Sequence, residues 1–135
     1  MPATVIDSSI ALQWVLPEPG AEAAFRYVKA DDVTSPDVLL VETANVLAKK
    51  VRANDISGDY AIEALAAVKA AVRLVHSEPL VPRALELSIA LSHPVYDCVF
   101  LACAEHLNGK LATRDAPFVK RVTERGFGHL LEATP

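Results

Sequence analysis

The stretch Thr4-Val5-Ile6-Asp7 decides the fold, because it is a short β-branched run that ends on an acid. A run of this kind is typical of a buried strand. Similar short runs follow at 33–35, 72–76 and 110–113, and a last edge strand is predicted at 129–132. Helical segments separate these runs. The alternation predicts an α/β fold of three layers, α/β/α, around a short parallel sheet.

The helical segments share apolar residues at helical spacing and boundaries set by serine, proline or glycine. They are predicted at 8–16, 20–30, 37–52, 57–71, 82–91, 96–107 and 116–125. Ser8 or Ser9 is the expected cap of the first helix, and Ser57 is the expected cap of the fourth. Asn108-Gly109 and Gly126 are expected to end the last two helices.

The composition is that of a globular chain that folds without cross-links. Its 135 residues are 52% hydrophobic, which predicts one domain over residues 1–135 with a sizeable core. Cys98 and Cys103 are five residues apart in one predicted helix, a rise of about 7.5 Å, which is too far for a disulfide. We interpret both thiols as buried apolar groups in a reducing compartment.

The hydropathy pattern indicates neither export nor a membrane span. The first residues reach Asp7 without a basic segment, unlike a signal peptide. The longest apolar run extends from Cys98 to Ala104, whereas a membrane span needs about 20 residues. We therefore expect a cytoplasmic protein without membrane contacts.

The net charge of −4 restricts how the chain can hold nucleic acid. Proteins that bind nucleic acid mainly through phosphates are usually basic. Here a polyanion would be held by local basic residues or by bound cations. Arg114 and Lys49 are candidates for phosphate contact, together with Lys50 and Arg52. The alternative for each is a solvated surface charge.

Four acids are expected to converge at one edge of the sheet. Asp7 ends the first strand and Asp115 follows the fourth, so both project from the carboxyl edge, where parallel sheets bind ligands. Glu42 lies among valines and leucines of the long helix and needs a partner. Asp97 begins a helix whose next seven residues are all apolar. The first turn of that helix therefore either uses Asp97 as a cap or faces a cleft.

Each of these acids also has a local interpretation. Asp7, Asp97 and Asp115 can cap the helices that follow them by accepting backbone N–H groups. Glu42 can reach solvent at the boundary of its helix. Four acids at the mouths or flanks of buried elements nevertheless favour one shared site.

A shared site of four carboxylates requires a cation. Two carboxylates about 4 Å apart repel by about 4 kcal/mol at an effective dielectric constant of about 20. Four of them would raise one another's pKa values unless positive charge neutralised them. Oxygen ligands select Mg²⁺ or Mn²⁺, and these ions activate water and neutralise phosphate oxygens. The acids therefore indicate phosphodiester hydrolysis.

Four segments, in order along the chain, resemble the motifs of PIN-domain ribonucleases. They are Val5-Ile6-Asp7-Ser8-Ser9-Ile10-Ala11, Leu40-Val41-Glu42-Thr43-Ala44-Asn45-Val46-Leu47, Tyr96-Asp97-Cys98-Val99-Phe100-Leu101-Ala102-Cys103-Ala104-Glu105 and Leu111-Ala112-Thr113-Arg114-Asp115-Ala116-Pro117-Phe118. The length is similar to that of VapC toxins of type II toxin–antitoxin systems. The resemblance implies a five-stranded parallel sheet, a homodimer, and Mg²⁺- or Mn²⁺-dependent endonuclease action on RNA, inhibited by a VapB-like antitoxin.

Position by position, the resemblance implies acidic metal ligands, two hydroxyl groups beside them and one supporting amide. These are Asp7, Glu42, Asp97 and Asp115 as ligands, Ser8 and Thr113 as hydroxyl groups, and Asn45 as the amide. In the family the acid at the position of Asp115 is the one most often replaced or indirect. Ser8 has a second interpretation as a plain helix cap.

Trp14 lies in a short apolar helix before Pro17. Core packing is one interpretation of its place. The other is a groove that receives an antitoxin helix, and the resemblance supports it. An antitoxin arginine that enters the acidic site would then inhibit by charge pairing.

Three other functions fit parts of the pattern. A phosphoacceptor signalling domain would need adjacent acids after the first strand, whereas Asp7 is followed by Ser8-Ser9. A catalytically silent PIN-like binding module is the second alternative, and EDTA or Asp7→Asn would leave such a protein unchanged. The third is a PIN nuclease of RNA maturation, which expression toxicity relieved by the adjacent open reading frame would exclude.

Overall fold

The computed structural model describes residues 3–16 and 33–132, in which four strands alternate with six helices. The strands are β1 (Thr4–Ile6), β2 (Val33–Pro36), β3 (Arg73–Val75) and β4 (Lys110–Ala112). The helices are α1 (Ser8–Val15), α2 (Val38–Arg52), α3 (Gly58–Ala71), α4 (Val81–Leu91), α5 (Val95–His106) and α6 (Ala116–Glu124). The helix predicted at 20–30 lies outside the described residues.

The four strands are parallel and lie in the order β3-β2-β1-β4. The chain runs outward from β1 through β2 to β3 and then returns past β1 to β4. Right-handed crossovers that run in opposite directions place their helices on opposite faces of a sheet. The predicted α/β/α fold is therefore confirmed. The change of direction leaves β1 beside β4, and sheets of this kind bind ligands beyond the strand ends at such a point.

The helices pack in two groups, in agreement with this topology. Helices α1, α2 and α3 contact one another and enclose a small apolar cluster of Leu12, Leu16, Leu47 and Ala64. Helix α4 packs along α5, and α5 covers β1, β2 and β4. The residues from Cys98 to Ala104 are all buried, as their unbroken apolar run predicts. Because α5 leads by a short turn into β4, its first turn lies at the carboxyl edge of the sheet.

Gly109 lies where β1 and β4 approach each other at their amino ends. A Cβ at this position would lie 2.1 Å from the carbonyl oxygen of Ala3. The N–H of Lys110 donates to that same oxygen at 3.1 Å. Just before, Asn108 adopts the left-handed conformation (φ 52°) and ends α5, as the Asn-Gly sequence predicts. Glycine is therefore required at 109 by the close backbone approach.

The predicted edge strand at 129–132 is wrong. The chain forms a 3₁₀ turn, Gly128–Leu130, and then a single parallel bridge between Leu131 and Leu111. Backbone N–H groups of the turn donate to carbonyls three residues earlier, so they cannot extend the sheet. The sheet of the described residues therefore has four strands, where the resemblance implied five.

The two cysteines are free and buried, as predicted. Burial raises the pKa of Cys98 and of Cys103 to about 11, so both thiols stay protonated near neutral pH. Among the described residues, no single helix is long and apolar enough to cross a membrane. One bent pair of helical segments, 78–91 and 95–106, meets the criteria of length and composition only.

Candidate active site

Asp7 occupies the junction between β1 and α1. Its backbone is extended (φ −107°, ψ −177°), and its carboxylate accepts the N–H groups of Ser9 at 3.0 Å and Ile10 at 3.4 Å. Asp7 is therefore the cap of α1, and the prediction of Ser8 or Ser9 in that role is wrong. The carboxylate already satisfies the free N–H groups that a serine cap would serve.

A hydroxyl network joins Asp7 to the end of β4. Thr113 Oγ1 donates to Asp7 Oδ2, and Ser9 Oγ donates to Asp7 Oδ1 at 2.5 Å. Ser9 Oγ also lies 3.4 Å from Thr113 Oγ1 and accepts the backbone N–H of Arg114 at 2.8 Å. The sequence predicted Ser9 only as a possible cap. Its place two residues after an aspartate, within reach of that side chain, is the signal that was missed.

Glu42 extends from α2 towards α1. Its Oε2 accepts a hydrogen bond from Ser8 Oγ at 3.3 Å. The partner that the sequence predicts Glu42 to need therefore comes from another helix. Ser8 is the first residue of α1, so it contacts an acidic side chain instead of capping its own helix.

Asp97 lies in the first turn of α5 and does not cap it. The N-cap position is Pro94, and no side-chain bond caps the helix. Asp97 Oδ2 instead lies 2.6 Å from Nε2 of His93, in the loop between α4 and α5. The ring of His93 stacks against Phe118 of α6, with the ring centroids 4.6 Å apart.

Asp115 caps α6. Its Oδ1 accepts the N–H of Phe118 at 3.2 Å, and its own N–H donates to Thr113 Oγ1 at 3.2 Å. Thr113 in turn donates to Asp7, so Asp115 is linked to the buried acid through one hydroxyl group. The capping interpretation of Asp115 is thus confirmed, alongside this indirect connection.

Burial and like charge both act on the acids at this edge of the sheet. Burial raises the pKa of Asp7 from 3.8 to about 6, against the lowering effect of its hydrogen bonds, and the charge of Asp97 adds to the rise. Burial also raises the pKa of Glu42 from 4.5 to about 7, with further increases from Asp97 and Asp7. Asp115 is not among the charges that raise either pKa. We call Asp7, Glu42 and Asp97 the acidic pocket.

The acidic pocket fits a hard cation by the chemistry of its donors, because all of them are carboxylate oxygens with an excess of negative charge. Within the described residues, however, no three His, Cys, Asp or Glu side chains form a ready-made metal cluster. Each acid is held by a protein partner instead: Asp7 by Thr113 and its cap bonds, Glu42 by Ser8, and Asp97 by His93.

The remaining predicted residues lie outside the acidic pocket. Asn45 and Lys49 are exposed on α2, one and two turns beyond Glu42. The side chain of Arg114 is exposed beyond β4, although its backbone N–H joins the hydroxyl network. Trp14 is half-buried and packs against the main core.

Most of the sequence, residues 4–123, matches the model of a known protein family. A family model describes residues 4–123 as a PIN domain. The chain belongs to the PIN domain family. Its PIN fold is shared with the crystal structure of PAE2754 from Pyrobaculum aerophilum, at a TM-score of 0.73 and 16% sequence identity. The match covers 89% of this chain and 79% of that one. No curated protein matches the sequence.

Membership of the PIN domain family gives the acidic pocket a chemical context. PIN domains are in general divalent-metal-dependent nucleases that act on RNA. The carboxyl edge between β1 and β4 carries oxygen donors of the type that such chemistry uses. The family resemblance that the four sequence motifs indicate is therefore confirmed.

Proposed function

We propose that residues 1–135 form a single Mg²⁺- or Mn²⁺-dependent endoribonuclease domain of the VapC toxin type, which acts in the cytoplasm and is inhibited by a VapB-like antitoxin. The charge interaction of Asp7, Glu42 and Asp97, at the edge where β1 lies beside β4, carries the proposal. Carboxylates whose pKa values are raised by burial and like charge are typical of functional sites.

In this proposal Asp7, Glu42 and Asp97 hold the divalent cation. When bound, the cation supplies positive charge to the scissile phosphate and activates the attacking water. Thr113 and Ser8 hold the carboxylates of Asp7 and Glu42 by donating hydrogen bonds to them. Such partners restrict the rotation of a ligand and so preserve the site geometry.

Asp115 has an outer role in the proposal. Its N–H bond to Thr113 and its cap of α6 fix the end of β4 against Asp7. It would support the site from outside or bind a second ion. Asn45, exposed one turn after Glu42, is the supporting amide proposed from the family motif.

Phosphate contacts are assigned to exposed cations near the acidic pocket. The backbone of Arg114 bonds to Ser9, so its exposed side chain begins at the rim of the pocket. Lys49 lies seven residues after Glu42 on α2, about 10 Å further along the helix. Contacts of this kind position an RNA backbone without reading its sequence.

An apolar groove between α2 and α3 supports the proposal of an antitoxin. It is lined by Ala44, Leu47, Ala48, Ala61, Ile62 and Leu65. Of these residues Ile62 is 72% exposed. Ala44 lies two residues after Glu42 on α2, so an amphipathic helix seated in the groove would end near the acidic pocket. A basic residue of that helix would then pair with the acids.

A separate apolar stripe on α4 supports the proposal of a homodimer. Val81, Leu85 and Ile89 are spaced by four residues, and their exposed fractions are 47%, 55% and 71%. Residues with this spacing lie on one face of a helix. Size-exclusion chromatography of Ile89→Glu tests this surface, and a dimer that persists in the variant would exclude it.

The proposal is tested by RNA cleavage in the presence of Mn²⁺. We expect the wild type and the surface control Glu63→Gln to cleave total RNA, and we expect EDTA or Asp7→Asn to abolish cleavage. Toxicity on expression, relieved by co-expression of the adjacent open reading frame, tests the toxin assignment separately. Cleavage without toxicity would favour a nuclease of RNA maturation.

A catalytically silent PIN-like module is the second candidate. It is favoured by the protein hydrogen bonds on each acid and by the absence of a ready-made metal cluster among the described residues. RNA binding that neither EDTA nor Asp7→Asn alters, without cleavage, would establish it in place of the nuclease.

A further inference from the structure

His93 is bound to the acidic pocket through Asp97. Its Nε2 lies 2.6 Å from Asp97 Oδ2, within the first turn of α5. The second carboxyl oxygen of Asp97 has no hydrogen bond with any residue in the described part of the chain. The charge of Asp97 raises the pKa of both Asp7 and Glu42, so this carboxylate lies within interaction range of both.

The position of His93 is fixed by the fold. The backbone N–H of His93 donates to the carbonyl of Ser88 at 3.2 Å, and Ser88 Oγ donates to the backbone carbonyl of His93. Arg121 donates to the carbonyl of Leu91 at 3.0 Å, just before the loop. The imidazole itself stacks on Phe118, whose side chain is buried. The ring therefore has little freedom to leave Asp97.

We propose that His93 is a positioning residue, which holds the Asp97 carboxylate so that its free oxygen serves the acidic pocket and the divalent cation. The inference rests on the proposed function. Partners of metal-binding carboxylates orient those ligands, and their loss typically weakens metal binding by about 10- to 100-fold. His93 lies four residues before Asp97 and outside its helix, so the motif around Asp97 gives no sign of this role.

Two substitutions separate the hydrogen bond of His93 from its stacking. His93→Gln keeps an N–H donor near the position of Nε2 and loses the ring. His93→Phe keeps a ring on Phe118 and loses the donor. His106→Ala is the control, because His106 is exposed at the far end of α5, the helix that carries Asp97. Thermal unfolding of each variant establishes that it is folded.

The test is the affinity of the purified chain for Mn²⁺, measured by electron paramagnetic resonance or calorimetry without RNA. We expect binding to weaken by about 10- to 100-fold in His93→Phe and to stay within about threefold of wild type in His93→Gln. His106→Ala should bind as the wild type does.

Unchanged affinity in folded His93→Phe would overturn the inference and leave the proposed function intact. Equal weakening in both His93 variants would also overturn it, because packing and not the hydrogen bond would then hold Asp97. Absence of Mn²⁺ binding to the wild type, or binding that Asp7→Asn does not weaken, would instead overturn the proposed function, and the inference with it.

Discussion

Asp7 and Asp37 occupy equivalent places in the fold, but the pKa values of their side chains are shifted in opposite directions. Asp7 joins β1 to α1, and Asp37 joins β2 to α2. Both accept hydrogen bonds from a serine. Ser77 donates to Asp37 Oδ1 from its N–H at 3.2 Å and from its Oγ at 2.6 Å, much as Ser9 does to Asp7. Hydrogen bonding alone therefore does not distinguish the two junctions.

Burial and neighbouring charge distinguish them. The pKa of Asp7 rises to about 6, because burial outweighs the hydrogen bonds and Asp97 adds negative charge. The pKa of Asp37 lies below its usual value, because the Ser77 bonds dominate and His76 favours the charged form. Position after a strand thus brings an acid to the carboxyl edge, whereas burial beside like charge raises its pKa, as is typical of functional sites.

The largest expected effect is on the rate of RNA cleavage, where substitution of Asp7 and substitution of Asp37 should differ. Asp7→Asn should slow RNA cleavage by on the order of 10³-fold, about 4 kcal/mol of transition-state stabilisation, because it removes charge from the proposed cation site. Asp37→Asn should stay within about threefold of wild type. Single-turnover cleavage of one defined RNA with Mn²⁺ measures both rates. Similar losses in the two variants would contradict the distinction.

A smaller effect is expected where β1 and β4 are held together, since this contact brings Thr113 to Asp7. Gly109→Ala should lower the free energy of unfolding by about 2 kcal/mol or more, because overpacking displaces backbone. Its Cβ would lie 2.1 Å from the Ala3 oxygen. Gly58→Ala is the control, since no atom lies within 4 Å of its added Cβ. Urea unfolding that gives equal stabilities for the two variants would disprove the close approach.

Glu42→Gln tests the electrostatic cost of the acidic pocket. With EDTA present at pH 8, the substitution should raise the free energy of unfolding by about 1–2 kcal/mol, because it removes a charge that is partly buried and repelled by Asp97 and Asp7. The pKa of Glu42 is raised from 4.5 to about 7 in the folded chain, so the cost is absent below pH 4.5 and complete above pH 7. The wild type should therefore lose stability as pH rises through this window.

Urea unfolding of Glu42→Gln at pH 5 and pH 8 measures this dependence. The exposed acid of Glu63→Gln provides the control on α3. A gain of equal size at both pH values would attribute the effect to packing and not to charge.

The smallest effect on stability is expected for Asp37→Asn. It should lower the free energy of unfolding, whereas Glu42→Gln should raise it. The pKa of Asp37 is lowered in the folded chain, so its charged form adds stability above the usual pKa, and this is lost as pH falls through the folded value. Because the side chain is half-exposed, Asp37→Asn should lose less than about 1 kcal/mol at pH 7. Unfolding curves should show a smaller loss at pH 3 than at pH 7. A loss of equal size at both pH values would show that the hydrogen bonds and not the charge cause it.

The sequence predicts the layers of the fold because its signals are local. The β-branched run that ends at Asp7 and the apolar run from Cys98 to Ala104 each specify burial without reference to the rest of the chain. The prediction of an edge strand at 129–132 was wrong, because the choice between a 3₁₀ turn and a strand in this segment depends on tertiary contacts.

The candidate site was predictable as a list of acids and not as a set of contacts. Asp7 and Asp115 follow strands, and the sequence places them at one edge. Their difference in burial depends on strand order, which no local pattern gives. Ser8 bonds to Glu42 across 34 positions, and the bond of Asp97 to His93 depends on how the loop before α5 packs on α6.

We propose that Asp7, Glu42 and Asp97 repel one another in a pocket that a divalent cation stabilises. The decisive measurement is urea unfolding of the wild type at pH 8, with EDTA or with saturating Mn²⁺. We expect Mn²⁺ to raise the free energy of unfolding by about 2–3 kcal/mol at roughly 100 times its dissociation constant. Identical unfolding curves in EDTA and in Mn²⁺ would contradict it.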